Sequence, residues 1–514
     1  MNLLKSLISV SFMTLISRIL GFIRDVLIAS TFGASMFTDA FFISFKIPNL
    51  LCRIFSDNSF SQTFVPILME YKSCKNEKYV QNFISSMFGF MIFFMFFLII
   101  LGMFYSRFLI LINAPGFLEL PEKLRLSEHL LTIMLPYILL ISLSSFFSSI
   151  LNSWNYFSVP ALSPVFLNIS IIVFSIFFSS FFNPSIISLA WAVIIGGFIQ
   201  LFYQFPFLYK INMLVMPNIS WNNIGLLRFL KKIGPAILGT SANQISLIIN
   251  TIFTSLLCSG SISWIYYADR LIEFPVGILG VSLSTVLFTS LTKRYKNNIK
   301  SEYKKLLDWG LRIGLIVSLP SAIILFFLAK PIIVVLFQYG KFTNFDVLMT
   351  EKVLELYSFG LVSFILVKIL ASAFYACEEI NIPMQISFLT LFLTQLMNPI
   401  LIFYFKHAGL ALSVSISGWI NFLLLYWKLY QKKMIFLKYN DFVFIFRLIL
   451  SILVMLVILF FILHFMPLWN VGSFFNKIIR LIFVCFISGV GYLVMLHFLG
   501  IRLLSFSCNF SQLE

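Results

Sequence analysis

The run Phe88-Gly-Phe-Met-Ile-Phe-Phe-Met-Phe-Phe-Leu-Ile-Ile-Leu-Gly-Met103 carries no charged side chain. As a helix, it and its flanks reach across the hydrocarbon core of a bilayer, roughly 30 Å, which a core helix of a soluble protein has no need to do. Leu448-Ile-Leu-Ser-Ile-Leu-Val-Met-Leu-Val-Ile-Leu-Phe-Phe-Ile-Leu463 repeats the pattern near the other end. Outward from these two, apolar runs separated by turn signals predict about fourteen helices. They lie near 8–30, 37–56, 80–105, 128–151, 160–182, 185–207, 230–257, 266–290, 309–329, 350–375, 384–405, 409–430, 441–464 and 478–502. Of the 514 residues 60% are hydrophobic and only 11% charged, against about a quarter charged in soluble domains. A soluble fold is excluded, and the chain reads as an all-α polytopic membrane protein.

The net charge of +17 does not point to nucleic acid, because the lysines and arginines sit mainly in short loops between apolar runs. With the N-terminus inside, about nineteen loop cations fall on the cytoplasmic side and eight, Lys123 among them, on the other. The expected orientation therefore has both termini inside. Arg18, Arg24 and Asp25 interrupt the first apolar segment, which fits a retained helix better than a cleaved signal peptide. The six cysteines show neither metal spacing nor a disulfide framework. No phosphate-binding loop, HExxH or GxSxG with a partner histidine is present. A transporter without ATPase motif, cofactor or metal is expected.

An internal repeat appears when Ser188–Gln200 is laid on Gly409–Asn421. Leu189/Leu410, Ala190/Ala411, Val193/Val414, Ile195/Ile416, Gly197/Gly418 and Ile199/Ile420 coincide, and Pro160 pairs with Pro383. Each copy holds an even number of spans, so the copies face the same way, related by an axis along the membrane normal. The expected organisation is an N-terminal six-helix lobe (1–215), a C-terminal six-helix lobe (216–435) and two extra helices (436–514).

Charges inside spans are costly, about 2.5 to 3.5 kcal/mol each at mid-bilayer on insertion scales. Arg312, Lys352 and Arg447 lie near span ends and can snorkel. Arg18, Arg24, Lys46, Arg53, Arg270 and Lys368 are harder to place and must face protein or a wet cavity. Seven residues of helix return nearly to the same face, so Asp39, Lys46 and Arg53 form one stripe. In the first helix Ser17, Gly21 and Arg24 share a face, with Arg18 and Asp25 on its neighbour. Asp269, Arg270 and Glu273 cluster just before Pro275. One reading is a neutral network of ion pairs, with Asp25, Asp39, Asp57, Asp269 and Glu273 as the acids. The other is that these acids orient arginines whose forks bind an anion such as a pyrophosphate.

Ser17-Arg-Ile-Leu-Gly-Phe-Ile-Arg-Asp25, Gly33-Ala, Thr38-Asp-Ala-Phe-Phe42, Lys46-Ile-Pro-Asn-Leu50 and Phe60-Ser-Gln-Thr-Phe-Val-Pro66 resemble the bacterial lipid II flippase family, MurJ or MviN. Gly234-Pro-Ala, Tyr266-Tyr-Ala-Asp-Arg-Leu271, Glu273-Phe-Pro275 and Phe337-Gln-Tyr-Gly-Lys-Phe-Thr343 extend the resemblance over nearly the whole chain. It implies a fourteen-helix member of the multidrug/oligosaccharidyl-lipid/polysaccharide exporter superfamily. Such a protein carries the undecaprenyl-pyrophosphate-linked peptidoglycan precursor from the inner to the outer leaflet, with the extra helices forming a groove for the lipid tail. It carries over Arg18, Arg24, Asp39 and Arg270, with Ser17, Lys46, Asp269 and Glu273 in support; with Arg53 and Lys368 from the charge reading, the expected site is Arg18, Arg24, Arg53 and Arg270 at the substrate and Ser17, Asp39, Lys46, Asp269, Glu273 and Lys368 around it. The family commonly has two successive arginines after Pro-Asn-Leu-Leu, and here the first is Cys52.

The implied partners are lipid II and the phospholipid bilayer, with cell-wall synthesis machinery as a further partner; coupling ion and oligomeric state are not readable. Membrane potential, about 2.3 kcal/mol per charge per 100 mV, can bias the movement. The rival functions are a flippase for another polyprenyl-linked glycan, a drug/cation antiporter, and a non-transporting scaffold that tolerates loss of the arginines.

Overall fold

The computed structural model describes residues 3–501, except 54–57, 75, 219, 221–222, 298, 436–438 and 468. Within it, only the backbone is described for 3–11, 58–59, 62, 74, 235–243, 300 and 439–440. Asp57 and the chain beyond 501 thus lie outside the described residues. The described chain is helical throughout, as lipid demands, because a helix satisfies its own backbone donors and acceptors where no water can.

Helices α1 (Leu3–Phe32), α2 (Met36–Cys52), α3 (Asn58–Cys74), α4 (Glu77–Phe104), α5 (Ser106–Asn113), α6 (Pro121–Met134) and α7 (Tyr137–Ser153) come first. There follow α8 (Ser158–Val173), α9 (Ile187–Phe202), α10 (Phe205–Lys210), α11 (Ile224–Ser255) and α12 (Ser261–Pro275). The rest are α13 (Ser282–Lys296), α14 (Lys300–Phe327), α15 (Ala329–Phe337), α16 (Asn344–Ala376), α17 (Asn381–Phe405), α18 (His407–Gln431), α19 (Tyr439–Phe465) and α20 (Phe474–Phe498).

Among the described residues eleven helices are long and apolar enough to cross a membrane. The count of fourteen is therefore not reached. The three expected spans outside the eleven, 8–30, 37–56 and 230–257, are helical as α1, α2 and α11. They are the segments richest in charge or incompletely described, and α2 has only 17 residues.

The chain divides into two compact units, Met1–Ser263 with Tyr339–Phe342, and Trp264–Gln338 with Thr343–Glu514. This division follows contact, whereas the expected lobes follow the repeat; α11 packs with the first unit, on α3. In that unit Phe60, Phe64, Phe83, Phe146 and Phe229 stack or meet edge to face in one buried cluster. The turn Tyr339–Phe342 belongs to the first unit through backbone approach. Lys341 donates its N–H to the Ser30 carbonyl at 2.8 Å, beside Gly33 and Gly340, both at positive φ. A Cβ on Gly340 would lie 2.2 Å from that carbonyl oxygen, so only glycine fits.

In the second unit α16 is the buried centre, flanked by α14 and α18. The two last helices seat on α14 through Ile316, Phe444, Leu448, Met455, Tyr492 and Leu496, and the Tyr492 hydroxyl donates to the Ile316 carbonyl at 2.7 Å. Arg312 pairs with Asp308 at 3.0 Å and with Asp441 of α19 at 2.6 Å, over the Phe444 ring. Each unit holds one copy of the repeated hairpin, α8–α9 and α17–α18. Pro160 and Pro383 are each the third residue of their helix. Gly197 and Gly418 each touch the helix before the hairpin. Added Cβ atoms would come within 2.8 Å of Tyr137 on α7 and 2.5 Å of Ser363 on α16.

Candidate functional site

In α1 the face carrying Ser17, Gly21 and Arg24 meets one polar residue of α8, Asn168. Arg24 is 7% exposed. Its Nε and Nη2 donate to Asp25 Oδ1 at 3.0 and 2.8 Å, and its Nη1 donates to Asn168 Oδ1 at 3.0 Å. Asn168 Nδ2 in turn donates to the Ser17 carbonyl at 3.2 Å, and a Cβ on Gly21 would sit 3.5 Å from that nitrogen. The guanidinium is thus fixed by a neighbouring carboxylate and an amide that is itself anchored. Arg18 lies on the exposed side of the same helix and makes no hydrogen bond or ion pair among the described residues.

The α2 stripe faces one partner segment. Asp39 is fully buried and accepts from Lys123 Nζ at 2.9 Å, the Gly260 N–H at 2.7 Å, and the Ser263 N–H and hydroxyl at 3.0 and 2.7 Å. Two helical turns on, Lys46 donates to the Leu247 carbonyl at 3.2 Å and to the Thr251 hydroxyl. As α2 proceeds from 39 to 46 its partners run back from 263 to 247, so α2 lies antiparallel to that stretch. Arg53, last of the stripe, is exposed. Cys52 is 1% exposed, so Arg53 does not take up the position of the residue before it; adjacent helical side chains diverge by about 100°.

Lys123 corrects the loop assignment made from sequence. It is 2% exposed, bonded to Asp39 and set over the Phe117 ring at 4.4 Å. A lysine at the margin of an apolar run looks like a loop charge until a buried acid claims it.

In the second unit Arg270 pairs with Glu273 at 2.8 Å, one turn along α12, and lies over the Tyr266 ring at 5.1 Å. The two side chains are 38% and 59% exposed. Asp269 is exposed beside them. Lys368 of α16 runs its stem along the continuation of α12, where a Cβ on Gly280 would come within 3.2 Å of its Cδ.

The structure therefore brings Ser17, Arg24 and Asp25 together, and Asp39 with Lys46 on one face. Arg18 and Arg53 stand exposed, and Asp269, Arg270, Glu273 and Lys368 belong to the second unit. Sequence reasoning missed Asn168, Lys123, Thr251 and Ser263. Asn168 had a signal, a carboxamide inside an apolar helix; the others had none. Chemically, the described cations can hold an oxyanion by charge-assisted hydrogen bonds, and no group of histidine, cysteine or acidic residues among the described residues is arranged to hold a metal.

A family profile described as lipid II flippase MurJ matches residues 28–480. The chain is 75% identical over 506 residues to a probable lipid II flippase MurJ of Buchnera aphidicola from Acyrthosiphon pisum, covering 98% of this chain and 99% of that one. It is 41% identical over 432 residues to the lipid II flippase MurJ of Burkholderia cenocepacia, covering 83% of each. Among solved structures, a lipid II flippase MurJ in an inward closed conformation superimposes with a TM-score of 0.79 at 29% identity, covering 94% of this chain and 98% of that one. An inward-facing multidrug transporter of the MATE family shares the fold, with a TM-score of 0.67 at 12% identity over 81% of this chain and 95% of that one.

Proposed function

The chain belongs to the lipid II flippase MurJ family, and on that premise we propose that it moves lipid II from the inner to the outer leaflet of the cytoplasmic membrane by alternating access. It is a multi-pass membrane protein and a lipid II flippase rather than an enzyme. The observation that carries this is family identity sustained over almost the full length of the chain.

Arg18, Arg24, Arg53 and Arg270 take the pyrophosphate. Charge and geometry support this reading. Guanidinium forks match phosphate oxygens in pairs; exposed Glu273 holds the fork of Arg270, and buried Asp25 orients that of Arg24. Glu273 is then a placeholder that an incoming anion displaces. The exchange is easy at Arg270, where a pair this exposed is worth about 0–1 kcal/mol. Asp39 is different. It ties α2 to Gly260 and Ser263 within the first unit, and so acts as a positioning residue there. Lys46, Asp269 and Lys368 add to the local potential. The termini face the cytoplasm, and membrane potential drives the charged headgroup or the charged helices.

The test is complementation of a strain that lacks precursor export, read with an assay for the leaflet in which the precursor resides. Arg18→Ala and Arg270→Ala should each abolish export at unchanged protein level, and Cys52→Arg is run beside them. Normal export with both arginines removed would sink the site assignment while leaving the family membership untouched.

A further inference from the structure

The last two helices pack chiefly on each other and only lightly on α14, and one of their ties to α14 depends on a proline. Pro320 has no N–H, so the carbonyl four residues before it, that of Ile316, loses its helix donor. The Ser321 hydroxyl, the next side-chain donor along α14, goes instead to the Val317 carbonyl at 2.8 Å. Ile316 lies well inside the span Ser301–Phe327, where no water can serve a bare carbonyl and leaving it bare is costly. α20 supplies the donor. The hydroxyl of buried Tyr492 reaches that carbonyl at 2.7 Å. One turn back on the same face of α14, Arg312 takes Asp441 of α19 at 2.6 Å. Each helix of the pair thus has a polar tie to α14, and the two ties fall on adjacent turns. The rest of the seam is apolar, with Leu319 and Ile323 packed on the cluster of Phe444, Leu448 and Leu496. Such side chains meet lipid as readily as they meet one another, so in a bilayer they do not by themselves choose a depth or a rotation.

We propose that Pro320 and Tyr492 form a key. The proline opens a carbonyl in α14 and the tyrosine reads it, which fixes the depth of the last helix pair and makes that pair move with α14 during transport. A tyrosine buried in an apolar helix needs a partner for its hydroxyl, and a proline inside a helix leaves a carbonyl without one; here each meets the need of the other. Tyr492 is thus a positioning residue that acts through α14. The coupled motion rests on the reading of the chain as a flippase, whereas the key itself does not.

The experiment is a double-mutant cycle on the full-length protein, read by thermal melting in detergent and by the leaflet assay in the complementing strain. Tyr492→Phe should lower the melting midpoint by a few degrees and slow export severalfold at unchanged protein level. Pro320→Ala returns an N–H to the Ile316 carbonyl, so adding Tyr492→Phe to Pro320→Ala should change neither readout further. Equal loss in both backgrounds would overturn the key, since the tyrosine would then act through packing alone. Leu496→Val trims the same seam without touching the bond, and should lower the midpoint while keeping export. Export slowed as much by Leu496→Val as by Tyr492→Phe, or normal export by Tyr492→Phe, would overturn the positioning role. Pro320→Leu serves as the second background should Pro320→Ala not fold. No export from the parent chain would count against the flippase reading, and the melting cycle would still decide the key.

Discussion

Two ion pairs of nearly equal length behave as different objects in the two units. Asp39 and Lys123 lie 2.9 Å apart with side chains 1% and 3% exposed, whereas Arg270 and Glu273 lie 2.8 Å apart at 38% and 59%. Distance does not separate them; burial does. In the first pair both charges have left water, and Asp39 is compensated by three further donations from Gly260 and Ser263. Neither partner can depart without stranding the other. In the second pair both side chains are partly open to solvent, so the contact between them can be exchanged at lower cost. The buried pair is a fixed joint and the exposed pair an exchangeable contact, which is the property a binding residue needs.

The sharpest way to break this contrast is at Asp39. Asp39→Ala and Lys123→Ala should each cost about 3–5 kcal/mol by leaving a buried charge unpaired, seen as a fall in the thermal midpoint and in membrane protein level. The double change Asp39→Leu/Lys123→Met should recover only the part due to the stranded lysine, because the Gly260 and Ser263 donors still lose their acceptor. Single variants as stable as the parent would show that the joint is not what holds α2 to the start of α12.

Arg24, buried but placed beside Ser17 and Arg18, tests the middle ground. Arg24→Lys should fail to restore export in complementation, because one ammonium cannot reproduce the planar fork that binds Asp25 through two N–H groups and Asn168 through a third. Wild-type export by Arg24→Lys would reduce its role to charge alone. The repeat offers a paired test across the units. Gly197→Leu and Gly418→Leu should each destabilise by about 1–3 kcal/mol through overpacking against α7 and α16, measured as shifts in melting temperature. A large effect at one glycine and none at the other would break the equivalence of the two hairpins. The smallest stability change belongs to Glu273→Gln, under about 1 kcal/mol. Headgroup affinity should rise severalfold as the internal competitor for Arg270 is removed, read by binding of a soluble pyrophosphate-bearing analogue. Weaker binding would show that Glu273 orients Arg270 rather than occupying it.

Much of the architecture was legible along the chain. The eleven counted spans all correspond to expected ones because a bilayer selects for length and apolarity, both local properties. The repeat was visible at Gly197/Gly418 because small residues mark close helix contact and cannot be exchanged freely. The face of α1 bearing Ser17, Gly21 and Arg24, and that of α2 bearing Asp39 and Lys46, followed from the helical period alone. Lys123, read as a loop charge, is buried in α6, and Arg312 has a partner on α19 that its span does not reveal. Each is claimed by an acid far away in the sequence, Asp39 and Asp441, and spacing holds no record of such a partner.

By itself, the order of residues determined that this protein spans a membrane, roughly where it does so, and which charges could not face lipid, since transfer from water to hydrocarbon is a cost each segment meets alone. Only the tertiary structure decided which of those charges are locked and which are exchangeable. That depends on how many donors and how much water surround a charge, and these are supplied by helices remote in the chain.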